Sequence, residues 1–138
     1  DLPLVAIAKD SLRPAIERIR ACAVIHAAFS DEQSPKLLAD ASEILPESMF
    51  ETALCDLQDI DPTLLESFIT SVASHPARAM AMAKSLHSLG ADQEGVAVLM
   101  FGISQEGADS NLAEDAASWL ESVGHEAEAN TIRASQVG

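Results

Sequence analysis

The sequence has no tyrosine, one tryptophan and four phenylalanines in 138 residues, so it is short of the side chains that favour strands. Its apolar share of 48% is dominated by alanine and leucine, the strongest apolar helix formers. No segment alternates apolar and polar residues over a useful length, which excludes a sheet as the organising element. Long apolar runs are also missing. The longest mainly apolar stretches free of formal charge, residues 21–30 and 95–104, fall short of the roughly 20 residues needed to cross a bilayer. Residues 2–8 are too short for the core of a secretion signal and lack a positive flank. The expectation is a soluble chain that spans no membrane, placed in the cytoplasm. Of the two cysteines, Cys22 and Cys55, neither has the close spacing of a metal or redox motif. Both are expected to be buried thiols that pack as small hydrophobes, with a disulfide between them left open.

Positive charge is scarce as well. Eight Lys and Arg stand against 22 Asp and Glu, for a net charge of −14. Residues 37–77 contain no Lys or Arg but eight carboxylates: Asp40, Glu43, Glu47, Glu51, Asp56, Asp59, Asp61 and Glu66. A second such stretch, 85–132, holds nine, while Lys9, Arg13, Arg18 and Arg20 gather in or just before the first long helical pattern. A chain of this sign repels the phosphate backbone, so direct nucleic-acid binding is not expected. A protein partner with a basic or amphipathic helical segment fits better.

What the chain has in abundance is helical periodicity interrupted by proline, glycine and capping residues. Leu12, Ile16, Ile19, Ala23 and Ala27 recur at spacings of three and four after Asp10 and Ser11, with Pro14 in the first turn, and predict a helix ending near residues 29–31. Ser34-Pro35 supplies a cap and a first-turn proline for a helix to about Ile44. Pro46 starts a third, with Met49, Phe50, Ala53, Leu54 and Leu57 on one side, and Asp61-Pro62 a fourth, with Leu65, Phe68, Ile69 and Val72 buried. His75-Pro76 opens a fifth over 77–89, closed by Gly90. A sixth covers about 93–103, using Val96, Leu99 and Met100. Gly107 and Asp109 separate it from a seventh over 111–123, closed by Gly124, and an eighth covers 126–135. Loops this short make neighbouring helices antiparallel. The expected fold is all-α: one domain of about seven to eight helices in an antiparallel helix-hairpin array, residues 1–75 forming N-terminal helices and 76–138 two helix pairs.

The two pairs come from a self-similarity at an offset of 34 residues. Ala79, Met82, Ala83, Leu86, Ser88 and Gly90 recur as Ala113, Ala116, Ala117, Leu120, Ser122 and Gly124, and five residues beyond each glycine stands a small residue, Gly95 and Ala129. Small residues let two helices approach, leucine fills the space between them, and glycine turns the chain. Period and pattern resemble the tetratricopeptide repeat, whose helix pairs stack into a curved solenoid that binds peptide or helical segments. Residues 119–135, with Trp119, Leu120, Gly124, Ala129, Ile132 and Arg133, are similar to the tetratricopeptide-like chaperones of type III secretion needle subunits. That resemblance implies a chaperone role in bacterial secretion.

Catalytic and metal motifs do not emerge. His26, His75, His87 and His125 form no i, i+4 pair. Glu121, His125 and Glu128 have ligand-like spacing, but Gly124 is expected to break the helix between them. His26 is expected as a satisfied core residue, and His87 as a partly exposed surface residue with no sequence-adjacent carboxylate or nucleophile. Asp56, Asp59 and Asp61 lack the glycine and final glutamate of a calcium loop. Gly102 and Gly107 follow no strand and precede no lysine, as a phosphate loop requires. Met80, Met82 and Met100 suit either core packing or an adaptable binding surface. The chain is therefore expected to be a non-enzymatic adaptor or chaperone without cofactor or metal. Its partner-facing residues are expected to be Met80, Lys84, His87, Met100, Glu114 and Trp119. The alternative is an acidic mimic or inhibitor of a basic, nucleic-acid-binding protein.

Overall fold

Proline and short polar residues divide the chain into helices. The computed structural model describes residues 2–10, 12–30, 32–104 and 109–137. Among these the elements are α1 (Leu2–Lys9), α2 (Ala15–Phe29), α3 (Ser34–Ile44), α4 (Phe50–Ile60), α5 (Leu65–Ala73), α6 (Pro76–Ser88), α7 (Asp92–Ile103), α8 (Ser110–Ser122) and α9 (Glu126–Val137), with no strand. Short 3-10 turns, Glu47–Met49 and Pro62–Leu64, lead into α4 and α5. No described helix is long and apolar enough to cross a membrane. The chain divides into two compact units, Asp1–Val72 and Ala73–Gly138.

In the first unit α2 is the element on which α1, α3 and α4 pack. Its Ile19, Cys22 and Ala23 are buried, as are Leu38 and Ala41 of α3 and Phe50, Ala53, Leu54 and Leu57 of α4. Phe50 meets Phe68 edge to face, with centroids 6.3 Å apart, a contact worth about 1 kcal/mol beyond the area it buries. Asp61 accepts from the Thr63 amide at 3.1 Å and so caps the turn before α5.

Several local expectations are corrected here. Helix α1 was not foreseen, because its eight residues are apolar nearly all round and offer no period to read. Leu12 is 93% exposed in the connection before α2 rather than on its buried face, and Asp10 accepts from the Leu12 amide in that turn. Pro14 stands at the N-cap, one position ahead of the first turn. Ser34 begins α3 but does not cap it: Gln33 stands at the N-cap, and the buried Ser34 Oγ has no hydrogen-bond partner among the described residues. Cys22 is buried, whereas Cys55 lies off the apolar stripe of α4 and is exposed; neither forms a disulfide. Ser11, Asp31 and Gly107, which carried expectations about helix ends, lie outside the described residues.

In the second unit α6 has its largest contact with α7, and α8 with α9. All eight apolar positions of the 34-residue repeat are buried: Ala79, Met82, Ala83 and Leu86 in α6, and Ala113, Ala116, Ala117 and Leu120 in α8. The turns after α6 and α8 match bond for bond. Gly90 and Gly124 have φ of 87° and 92°, the left-handed region that glycine enters without a Cβ clash. The amide of Ala91 donates to Leu86 O at 2.8 Å and that of His125 to Leu120 O at 2.8 Å, while Gly90 N reaches His87 O and Gly124 N reaches Glu121 O. Glycine does different work on α7. A Cβ at Gly95 would lie 2.9 Å from Ala83 O, and one at Gly102 only 2.2 Å from the Ala79 Cβ. The contact between α6 and α7 therefore depends on two positions without side chains.

Candidate partner-binding face of the C-terminal unit

Ala83, Leu99, Ala113, Ala116, Ala117, Leu120, Ala129 and Ile132 form one buried cluster. Around it Met80, Val96, Met100, Ile103 and Trp119 are only partly covered. Met82, by contrast, is wholly buried, so the three methionines divide between core and margin. Along α6, Met80, Lys84 and His87 fall three and four residues apart and share a side of the helix. Lys84 is exposed. His87 meets Trp119 edge to face, with ring centroids 5.7 Å apart at 86°. Met80, Met100 and Trp119 thus each pack against this cluster, and His87 is set against the indole.

A carboxylate joins the two glycine turns. Asp92, at the start of α7, has Oδ1 2.7 Å from Nδ1 of His87 and Oδ2 2.7 Å from Nε2 of His125. An ionised carboxylate only accepts, so each imidazole donates to it. These hydrogen bonds, from His87 first and then His125, hold Asp92 below its ordinary value of 3.8. His125 Nδ1 lies 3.9 Å from Glu128, and Glu121 turns away to bind Arg133. His87 lies at the surface, and its carboxylate partner is not adjacent in sequence but stands five residues on, across the glycine turn. His26 also has one, Asp61 Oδ2 at 2.6 Å from Nδ1. Asp61 in turn is held below 3.8, chiefly by the Thr63 hydroxyl and next by His26.

Glu114 belongs to a different set. Arg133 Nε donates to Glu114 Oε2 at 3.0 Å, and Nη2 lies 2.7 Å from Glu121 Oε1. Glu121 and then Glu114 keep the guanidinium protonated well beyond its ordinary range. The offset of 34 explains the set. Where the first pair has Met80, His87 and Leu99, the second has Glu114, Glu121 and Arg133, so a charged triad replaces a core leucine and its neighbours. A cavity of about 150 Å³ beside Glu114 and Arg133 is below the roughly 300–1,000 Å³ of small-molecule sites.

Asp92 and His125 were missed as members of this face. The repeat does not mark them: Asp92 stands two residues after Gly90 and His125 one after Gly124, so they are not equivalent positions, and only the folded chain joins them. No protein-family model matches the chain, and no curated protein or solved structure matches it.

Proposed function

We propose that the C-terminal unit is a protein-interaction module, an adaptor or chaperone, whose two tetratricopeptide-like hairpins form a short antiparallel solenoid holding a peptide or helical segment of a partner. The observation that carries this reading is the bond-for-bond equivalence of the turns at Gly90 and Gly124, with two alanines and a leucine buried at equivalent positions before each. Identical turns repeat a helix pair at a fixed step, which is how such arrays build extended binding faces. Support for the location comes from Met80, Met100 and Trp119, which are only partly covered where they pack on the cluster, and from Lys84 and His87, which share a side of α6 with Met80. Thioethers and an indole are the side chains best suited to an adaptable helix-binding surface. The similarity of residues 119–135 to needle-subunit chaperones adds bacterial secretion as the setting.

The test is affinity capture from the native cell by the wild-type chain and by Trp119→Ala and Met80→Ser variants, read by mass spectrometry. A protein held by wild type and lost in both folded variants is expected. Small-molecule turnover with no captured protein would overturn the reading. The net charge of −14 favours a second reading, an acidic mimic that occupies a basic protein. Affinity that falls steeply from low to moderate salt would select the mimic, and salt-insensitive binding the apolar face.

A further inference from the structure

Three of the chain's eight Lys and Arg side chains line one cavity in the N-terminal unit. This cavity, of about 500 Å³, lies between the end of α1, α2 and the start of α3, and its walls are Lys9, Arg18, Gln33, Lys36, Leu37 and Asp40. Lys9 and Lys36 are exposed. Arg18 is 7% exposed, and its Nε donates to Ala8 O at 3.0 Å. Among the described residues no carboxylate is paired with it. A buried guanidinium without a counter-charge is unfavourable, and its two Nη groups form a fork suited to two oxygens of one anion. Helix α3 starts at the same wall without a side-chain cap, so its positive end adds to the local potential.

We propose that this cavity binds a small organic phosphate monoester. The charges of Lys9, Arg18 and Lys36, less that of Asp40, leave two positive charges in the wall. A phosphate monoester carries about −1.5 to −2 at neutral pH, whereas a carboxylate or sulfonate carries one negative charge. Bidentate contact with the guanidinium, flanked by two lysines, matches a phosphoryl group. The volume falls within the range of organic ligand sites, and Leu37 offers the body of the ligand an apolar contact. The surrounding carboxylates of an acidic chain are screened beyond about 8 Å at physiological ionic strength, so the local sign decides binding.

The experiment is a titration of the full chain with phenyl phosphate at pH 7.5, followed by amide NMR shifts at constant ionic strength, with benzenesulfonate in parallel. Saturable shifts around Lys9, Arg18 and residues 33–37 are expected. Phenyl phosphate should bind at least about ten-fold more tightly than the monoanion, a difference of one decade in Kd. The Lys9→Gln/Lys36→Gln variant changes only exposed side chains. It should keep the helical circular dichroism and lose at least about ten-fold in phenyl phosphate affinity. Shifts that do not saturate, equal affinity for the two anions, or wild-type affinity in the double variant would each overturn the proposal.

Discussion

Adding one methyl group at Gly102 is the sharpest perturbation of the C-terminal unit. The alanine Cβ would stand 2.2 Å from the Cβ of Ala79 and 3.3 Å from Ala73 O. Carbon atoms pack best at about 3.5–4.0 Å, so the shortfall is roughly 1.3–1.8 Å. Both atoms are attached directly to the backbone, and no side-chain rotation relieves the clash; α6 and α7 must move apart. Overpacking of this kind costs about 1–3 kcal/mol or more, against a gain of about 1 kcal/mol when alanine replaces glycine inside a helix. The net expectation for Gly102→Ala is a loss of about 2 kcal/mol, which lowers a urea midpoint by about 1 M at the m-values of small domains. Trp119 is the chain's one tryptophan and packs on the core of this unit, so its fluorescence follows the transition. In an Ala79→Gly background the same substitution should be close to neutral, giving a coupling of about 2 kcal/mol. An unchanged or raised midpoint for Gly102→Ala, or the same loss in both backgrounds, would refute the close approach of α6 and α7.

Other consequences follow from single sites. Gly90→Ala and Gly124→Ala meet no atom within 4 Å, so each pays only for its left-handed backbone. Matching losses of about 1–2 kcal/mol are expected by the same urea assay, and unequal losses would contradict the equivalence of the turns. Because Asp61 is held below 3.8, its contribution to stability is present above that pH and disappears as pH falls through its lowered folded value. Asp61→Asn should therefore destabilise at neutral pH and converge on wild type in acid; a constant difference from pH 7 to pH 2 would refute this. Cys55 should react with a thiol reagent in the folded chain and Cys22 only after unfolding, because the first is exposed and the second buried. Equal rates in the native state would contradict that placement.

Helix positions from Pro35 onward were legible because each start carries a local chemical signal. Pro62, Pro76, Gly90 and Gly124 act through their own backbone constraints, and these do not depend on distant packing. Helix α1 was illegible for the opposite reason: an apolar segment without a polar face has no period to register. Leu12 and Cys55 show the limit of periodicity, which gives a helix face but not where the helix begins or how wide its buried stripe is. For the candidate face, the small buried residues of the repeat could be read from spacing alone. The bridge from His87 through Asp92 to His125 could not, because it joins side chains in two turns that meet only in three dimensions. Gly102 was read only as a failed phosphate loop, since a close helix approach leaves no mark in sequence beyond the absent side chain.

The most direct measurement is an NMR titration of the isotope-labelled chain with the segment of a captured partner, mapping the amides and indole that shift. Saturable perturbation centred on Met80, Lys84, His87, Met100 and Trp119 is expected, persisting at moderate salt. Shifts confined to residues outside Ala73–Gly138, or none at saturating segment, would contradict it.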